Sequence, residues 1–291
     1  MLVLSSLAWS SAVLAAPLDF DPDSIAWSRL EFRPTARPDD LSVEVQLSEA
    51  SPDEISLPLP SEPGAGPAAA LLQMISTIDV AFTGRTYRTD VWFSAAGVSP
   101  LERRRDKIGK GANRKIYRYL DDGVRRLRIE PDGRSQAKLP PDDWTQVQEL
   151  FFPYGPGRAD CAVLSDPNLL FVIASAGAVT GAPLELCVFN KQAIYRVRLS
   201  AEPGRTLEAD YREIRGAEQV QVRRRAPVRK IRIQAFRPDV DGIEADPFEF
   251  FEMRGEIEID LDADSRLPLR VSGDIGSRRV EFQLSEVAWR S

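Results

Sequence analysis

Apolar and polar side chains alternate residue by residue through most of this sequence. Leu41, Val43, Val45 and Leu47 share one parity, and Ser42, Glu44 and Gln46 the other. Ile78, Val80 and Phe82 repeat the pattern, followed by Thr83-Gly84 and then by Tyr87, Val91 and Phe93 in step. It returns in Leu184, Leu186, Val188; Tyr195, Val197, Leu199; Ile231, Ile233, Ala235; Ile257, Ile259, Leu261; and Val280, Phe282, Leu284. A period of two is that of a strand with one face in a core and one in water. Asp122-Gly123 between two such runs is a strong hairpin signal. The pattern predicts an all-β, mainly antiparallel protein.

Two segments depart from it. In "DDWTQVQELFF", Asp143 is placed as a helix N-cap with Gln146 three residues on, and Trp144, Val147 and Leu150 fall on one helical face. In "SDPNLLFVIASAG", Asp166 is the expected N-cap, Pro167 the first helical residue and Gly177 the stop. Two short helices packed on the sheet are therefore predicted. Residues 51–70 are rich in Pro, Gly and Ser and read as a loop or linker. They separate residues 16–50, too few to fold alone and expected to dock as strands, from an antiparallel domain over 71–291.

The chain contains no histidine. That removes the usual general base, the usual zinc ligand and every Ser-His or Cys-His dyad. A net charge of −6 gives no general attraction to nucleic acid. Residues 1–15 form an apolar run with Val13 and Ala15 placed for cleavage before Ala16, although a charged leading segment is missing. This reads as a signal peptide, removed on export to the periplasm and leaving no stable membrane span. In such a compartment Cys161 and Cys187 are expected to form one disulfide, worth on the order of 3 kcal/mol; two buried free thiols are the alternative.

The series Asp260, Asp262, Asp264 invites a calcium reading, but an EF-hand loop counted from Asp260 would place Ser265 where Gly is needed and Val271 where Glu is needed. One continuous alternation explains the stretch better. It makes "DADSR" a hairpin turn, with the acids on a strand's wet face and no metal site. In "RRRAPVRKIRIQ", Lys230, Arg232 and Gln234 lie opposite in parity to Ile231 and Ile233, which suits a neighbouring strand carrying Glu256, Glu258 and Asp260. A second basic cluster, Arg103, Arg104, Arg105, Lys107, Lys110, Arg114 and Lys115, surrounds Gly109 and Gly111 without P-loop spacing. It is expected to be a cationic hairpin loop and the chain's best surface for an anionic partner. Among the aromatics, Phe248 and Phe250 are expected in the core. Phe251 and Met253 face the other way, against a helix or as an apolar ligand face. Nothing singles out a catalytic carboxylate pair, so no catalytic residue and no cofactor is predicted.

Three passages in order, "SDPNLLFVIASAG", "GAPLELCVFNKQAIYRVRL" and "GEIEIDLDADSRLPLRVSGDI", resemble domain-of-unknown-function family 3108, exported proteins of the bacterial envelope. Asp262, Asp264, Leu267 and Pro268 match its strand, acidic turn and Leu-Pro strand. The span runs from Leu164 to about Leu284, with a looser extension back to Ile75. The resemblance implies a large curved or half-barrel-like sheet and offers no catalytic residues to carry over. Together these readings predict a non-catalytic periplasmic protein that binds a lipid-like ligand or an envelope protein. An apolar face at Phe251 and Met253 would take a greasy segment, and the basic residues between 103 and 115 would meet an acidic group. A carboxylate-based hydrolase of envelope glycans and a scaffold that adds a strand to a partner are the alternatives.

Overall fold

Among the described residues, fifteen strands join into one hydrogen-bonded sheet. They are β1 (Trp27–Pro34), β2 (Leu41–Glu49), β3 (Leu71–Val80), β4 (Arg85–Ser94), β5 (Ser99–Ile108), β6 (Asn113–Tyr119), β7 (Gly123–Glu130) and β8 (Gln146–Pro153) in the first half. The second half supplies β9 (Leu164–Ser165), β10 (Leu184–Asn190), β11 (Ala193–Arg215), β12 (Glu218–Phe236), β13 (Arg254–Asp262), β14 (Pro268–Ile275) and β15 (Arg278–Trp289). This computed structural model describes residues 18, 20–36, 41–55, 70–155, 161, 163–236 and 247–290. The expected signal peptide and residues 56–69 of the expected linker lie outside the described residues, as does the side chain of Phe82.

The strand order is β8-β7-β6-β5-β4-β3-β2-β1-β15-β14-β13-β12-β11-β10-β9. Neighbours are antiparallel except β9 and β10. The far end of β11, Arg212 to Ile214, pairs in parallel with Glu286 to Ala288 of β15, so the sheet curls back on itself. Its two ends meet through side chains: Tyr117 and Val124 of the β6–β7 end pack in one cluster with Cys161, Leu164, Cys187 and Phe189. The cysteines are joined in a disulfide with Cα atoms 5.6 Å apart. The result is barrel-like.

The lumen is filled by a helix, α2 (Leu169–Ser175), every residue of which is buried. A helix apolar on all sides has no wet face to offer, and surrounding it with sheet resolves the conflict. Phe171 sets its depth, meeting Trp27 and Phe32 edge-on at 5.9 and 6.0 Å and Phe251 at 5.6 Å. Asn168 rather than Asp166 precedes the first helical residue. The Asp166 carboxylate accepts from the Asn168 backbone and side-chain amides at 2.9 and 2.8 Å. The helix stops at Gly177, whose φ of +78° is the left-handed conformation expected there.

The other expected helix is a strand. Residues after Asp143 form β8, paired along its whole length with β7 from Glu130↔Gln146 to Gly123↔Pro153. Trp144 ends a 3-10 turn (Pro141–Asp143) and is buried, its indole N–H donating to the carbonyls of Gln136 and Leu139 at 3.0 and 3.2 Å. The helical spacing of Trp144, Val147 and Leu150 lost to the backbone hydrogen bonds that β7 supplies. A one-turn helix, α1 (Gly133–Gln136), lies just before.

Charge pairing selects the neighbours of β12 and β13. Lys230 stands across from Asp260 and Arg232 across from Glu258. Lys230 Nζ lies 2.9 Å from Glu258, and Arg270 of β14 reaches Asp260 at 2.6 Å. Of the acids expected on a wet face, Glu256 and Asp264 are exposed, but Asp260 and Asp262 are only 3% and 1% exposed. Long Arg and Lys side chains lie over them. Asp262 takes Arg224 at 2.6 Å and the Ser265 backbone N–H at 2.8 Å, so its oxygens serve the turn. No cluster of metal-ligating residues occurs among the described residues.

Candidate functional site

Between the inner faces of β3 to β7 and the entry of α2 lies a cavity of about 350 Å³. Strand alternation decides which side chains enter it. From β5 come Arg103, Arg105 and Lys107; from β6, Asn113, Lys115 and Tyr117; from β7, Arg126. The opposite wall is the β10–β11 turn, with Asn190, Lys191 and Gln192, and the turn carrying Glu249, Phe251 and Glu252. Six cations thus face two carboxylates in a chain whose net charge is −6. The local excess is therefore a property of the site.

The register concentrates it further. Arg105 stands directly across from Lys115, and Lys115 across from Arg128 of β7. Like charges in such positions destabilise a sheet. Three of the cavity cations have internal partners. Arg103 pairs with the fully buried Asp166 at 2.7 Å, Arg105 pairs with Glu252, and Lys191 lies 3.0 Å from Glu249. Lys107, Lys115 and Arg126 have no carboxylate partner among the described residues. Arg126 is only 7% exposed, stacks 5.1 Å above the Phe152 ring, and its Nε has no hydrogen-bond partner.

The electrostatics follow. Burial and then the neighbouring Arg85 and Arg105 hold the Lys107 amine below its ordinary pKa. Burial lowers Lys115 too, reinforced by Arg105, Arg126 and Arg128 against a smaller upward pull from Tyr117. Burial alone would raise the Tyr117 phenol, but Arg103, Lys115, Arg126 and Arg105 outweigh it and bring it down. For Arg103 burial is the largest influence, opposed successfully by Asp166, which keeps the guanidinium charged. Asp166 also accepts from the Tyr119 hydroxyl at 2.5 Å, so this triad clasps the two ends of the sheet. Glu249, opposed to burial by Arg254 and Lys191, sits below the usual carboxylate range. It is ionised at neutral pH and unsuited to act as a general acid.

The wall is conformationally strained. Of five non-glycine residues with positive φ among the described residues, three line the cavity: Lys191 at +57°, Phe251 at +48° and Glu252 at +61°. An aromatic residue in that region is uncommon, and such residues concentrate at functional sites. Reciprocal backbone hydrogen bonds between Phe250 and Met253, 2.9 and 2.8 Å, hold the tight turn.

The expected cationic hairpin loop is mostly strand. Only residues 109–112 form the turn, with Gly109 and Gly111 at φ +96° and +72°. Alternation divides the cluster: Arg103, Arg105, Lys107 and Lys115 enter the cavity, whereas Arg104 and Arg114 face outward. There Arg104 pairs with Glu102 at 3.3 Å, and Arg114 with Asp106 and Asp142. Lys110 is exposed in the turn. The apolar face expected at Phe251 and Met253 is divided, with Phe251 reaching the cavity wall and Met253 enclosed. Met253 is in the core, Phe251 rests on α2, and the space beside them is about 10 Å³. Arg126 and Lys191 were missed by sequence reasoning. Arg126 carried a signal, since it shares parity with the buried Val124.

No family model and no curated protein matches the chain. Among solved structures it is similar to a protein from Brucella abortus described as a beta-barrel-like protein of domain of unknown function DUF1849. Identity is 11% and the TM-score 0.39, over 92% of this chain and 99% of that one.

Proposed function

We propose that this chain is a non-catalytic binding protein that captures the anionic part of a ligand inside its curled sheet. One observation carries the reading: Lys107, Lys115 and Arg126 line a half-open cavity with no internal counter-ion among the described residues. Desolvated cations without partners are costly, and a ligand that supplies the missing charge offsets the cost. The shape of the lumen also bears on what is bound. With α2 occupying the core, an acyl chain has no internal channel, so a lipid-like ligand would present only its head group here.

The disulfide supports an oxidising compartment, which accords with export to the periplasm. No helix among the described residues is long and apolar enough to cross a membrane. A second, compatible reading as a strand-adding scaffold is favoured by β8. Among the described residues no strand pairs with its outer edge, and Val147 and Phe151 are 62% and 46% exposed.

The test of ligand capture is a thermal-shift panel of small anions and cations at matched ionic strength. Binding to the folded state alone raises Tm in proportion to RT ln(1 + [L]/Kd). Anions should raise Tm in the wild type and do so far less in Lys115→Met. Equal responses of the two proteins, or an equal response to anions and cations, would refute the reading.

A further inference from the structure

We infer that the cavity takes a compact oxyanion bearing two negative charges, of the phosphate-monoester class, held by Lys115 and Arg126 in the field of Lys107. This rests on the anion-capture reading and names the ligand's chemistry. The first argument is charge. Six cations line the walls, and Asp166, Glu252 and Glu249 answer three of them, through Arg103, Arg105 and Lys191. Three remain. A monocarboxylate would leave two uncompensated beside the like-charged row Arg105, Lys115, Arg128. A dianion nearly balances the site.

The second argument is geometry. Lys115 and Arg126 arise from adjacent strands about 4.8 Å apart, offset by two residues along them, and line one cavity, while Lys107 stands towards the 109–112 turn with its amine beside Gly111. Donors distributed in this way suit a group with several equivalent oxygens better than a planar carboxylate, which a single Arg fork satisfies. Asn113 adds an amide and Tyr117 a phenol at the same wall. The third argument is volume. A cavity of 350 Å³ holds roughly ten water-sized groups, enough for a phosphate with a small organic substituent. The fourth is Arg126, more than nine-tenths buried with an unpartnered Nε. That guanidinium is desolvated before any ligand arrives, so the ligand meets a prepared donor.

A phosphate monoester can reach the site as a soluble metabolite or as the head group of a lipid. Isothermal titration of the purified protein with glycerol phosphate, sulfate and acetate tests the charge requirement. Glycerol phosphate and sulfate should bind at least tenfold more tightly than acetate at pH 8. The second ionisation of a phosphate monoester lies near pH 6, so glycerol phosphate should bind about tenfold more weakly at pH 5. Sulfate is doubly charged at both values and reports any change in the protein itself; it should not weaken at pH 5.

Lys115→Met should lose at least tenfold in affinity for both dianions while its Tm rises, because a repulsive neighbour is removed. A purely structural lysine would not produce that opposition. Lys110→Met, in the exposed turn, should bind as the wild type does. Flotation with vesicles of phosphatidylcholine with or without phosphatidic acid separates the sources. Capture only by the phosphatidic acid vesicles supports a lipid head group, and its suppression by free glycerol phosphate supports the shared site. If acetate binds as well as the dianions and Lys115→Met weakens all three, anion capture stands and the dianion assignment falls. If no anion binds, both fall.

Discussion

Two charged arrays occupy the same sheet and obey opposite rules. Across β12, β13 and β14, Lys230, Arg232 and Arg270 alternate with Glu258 and Asp260, so each cation has an anion on a neighbouring strand. Across β5, β6 and β7, Arg105, Lys115 and Arg128 stand side by side. The first array is what sheet stability selects, since opposite charges placed across strands contribute about 0.2 to 1 kcal/mol each. The second sets like charges in succession and leaves Lys115, at its centre, without an acid, although Arg105 pairs with Glu252 and Arg128 with Glu130. Even the outward face of the same strands follows the ordinary rule, where Arg118 and Arg125 stand opposite each other but are compensated by Glu102 and Glu149. A lysine left without an acid between two arginines at a cavity wall marks a place where something other than folding sets the sequence.

The largest effect is expected where the cavity touches the clasp. Asp166→Ala would leave Arg103 buried without its partner and should cost about 3 to 5 kcal/mol in urea unfolding. A loss under 1 kcal/mol would mean the clasp does not hold the sheet ends. Next comes a matched pair of charge reversals. Lys230→Glu puts like charges beside Glu258 and Asp260 and should destabilise by about 1 kcal/mol. Lys115→Glu places an acid between Arg105 and Arg128 and should stabilise by a similar amount. The same substitution with opposite sign is the sharpest form of the comparison, and two losses would erase it.

The smallest effect is in the pH profile. Glu258 and Asp262 are held low: burial acts upward, but Lys230 in one case, and Ser265 with Arg224 in the other, overcome it. Their stabilisation is complete above the ordinary carboxylate range and is lost as pH falls through the depressed folded values. Lys107 and Lys115 also titrate low when folded, so their penalty is full at neutral pH and disappears as pH rises towards about 10.4. Stability should therefore climb with pH in an acid step from the paired array and an alkaline step from the unpaired one. Tyrosines also titrate in the alkaline range, so the informative quantity is the difference between wild type and Lys115→Met. An unchanged alkaline step in the variant would show that Lys115 carries no penalty.

Most of the fold was legible because alternation is a local signal with one physical meaning. The hairpin at Asp122-Gly123 followed from its turn residues, and the pairing of β12 with β13 from parity and charge. β8 was not legible, because the spacing of Trp144, Val147 and Leu150 satisfies a helix and only the presence of β7 decides otherwise. The cavity was half legible. Arg103, Arg105, Lys107 and Lys115 stood out as a cluster, but their division between inner and outer faces required the strand assignment. Arg126, Lys191 and Glu252 arrive from distant positions that no spacing connects.

The enclosed helix has a consequence for how the molecule forms. Seven consecutive residues of α2 must be sheltered on every side, and the shelter includes Phe32 from near one end of the chain and Phe251 from far along it. The two halves of the sheet join only when β15 pairs with β1, with Trp27 meeting Trp289, a pairing of very high contact order and hence a slow one. A chain halted before that last strand would display its greasiest segment to other molecules, so assembly is safest where a holding chaperone covers that segment until the final strand is delivered.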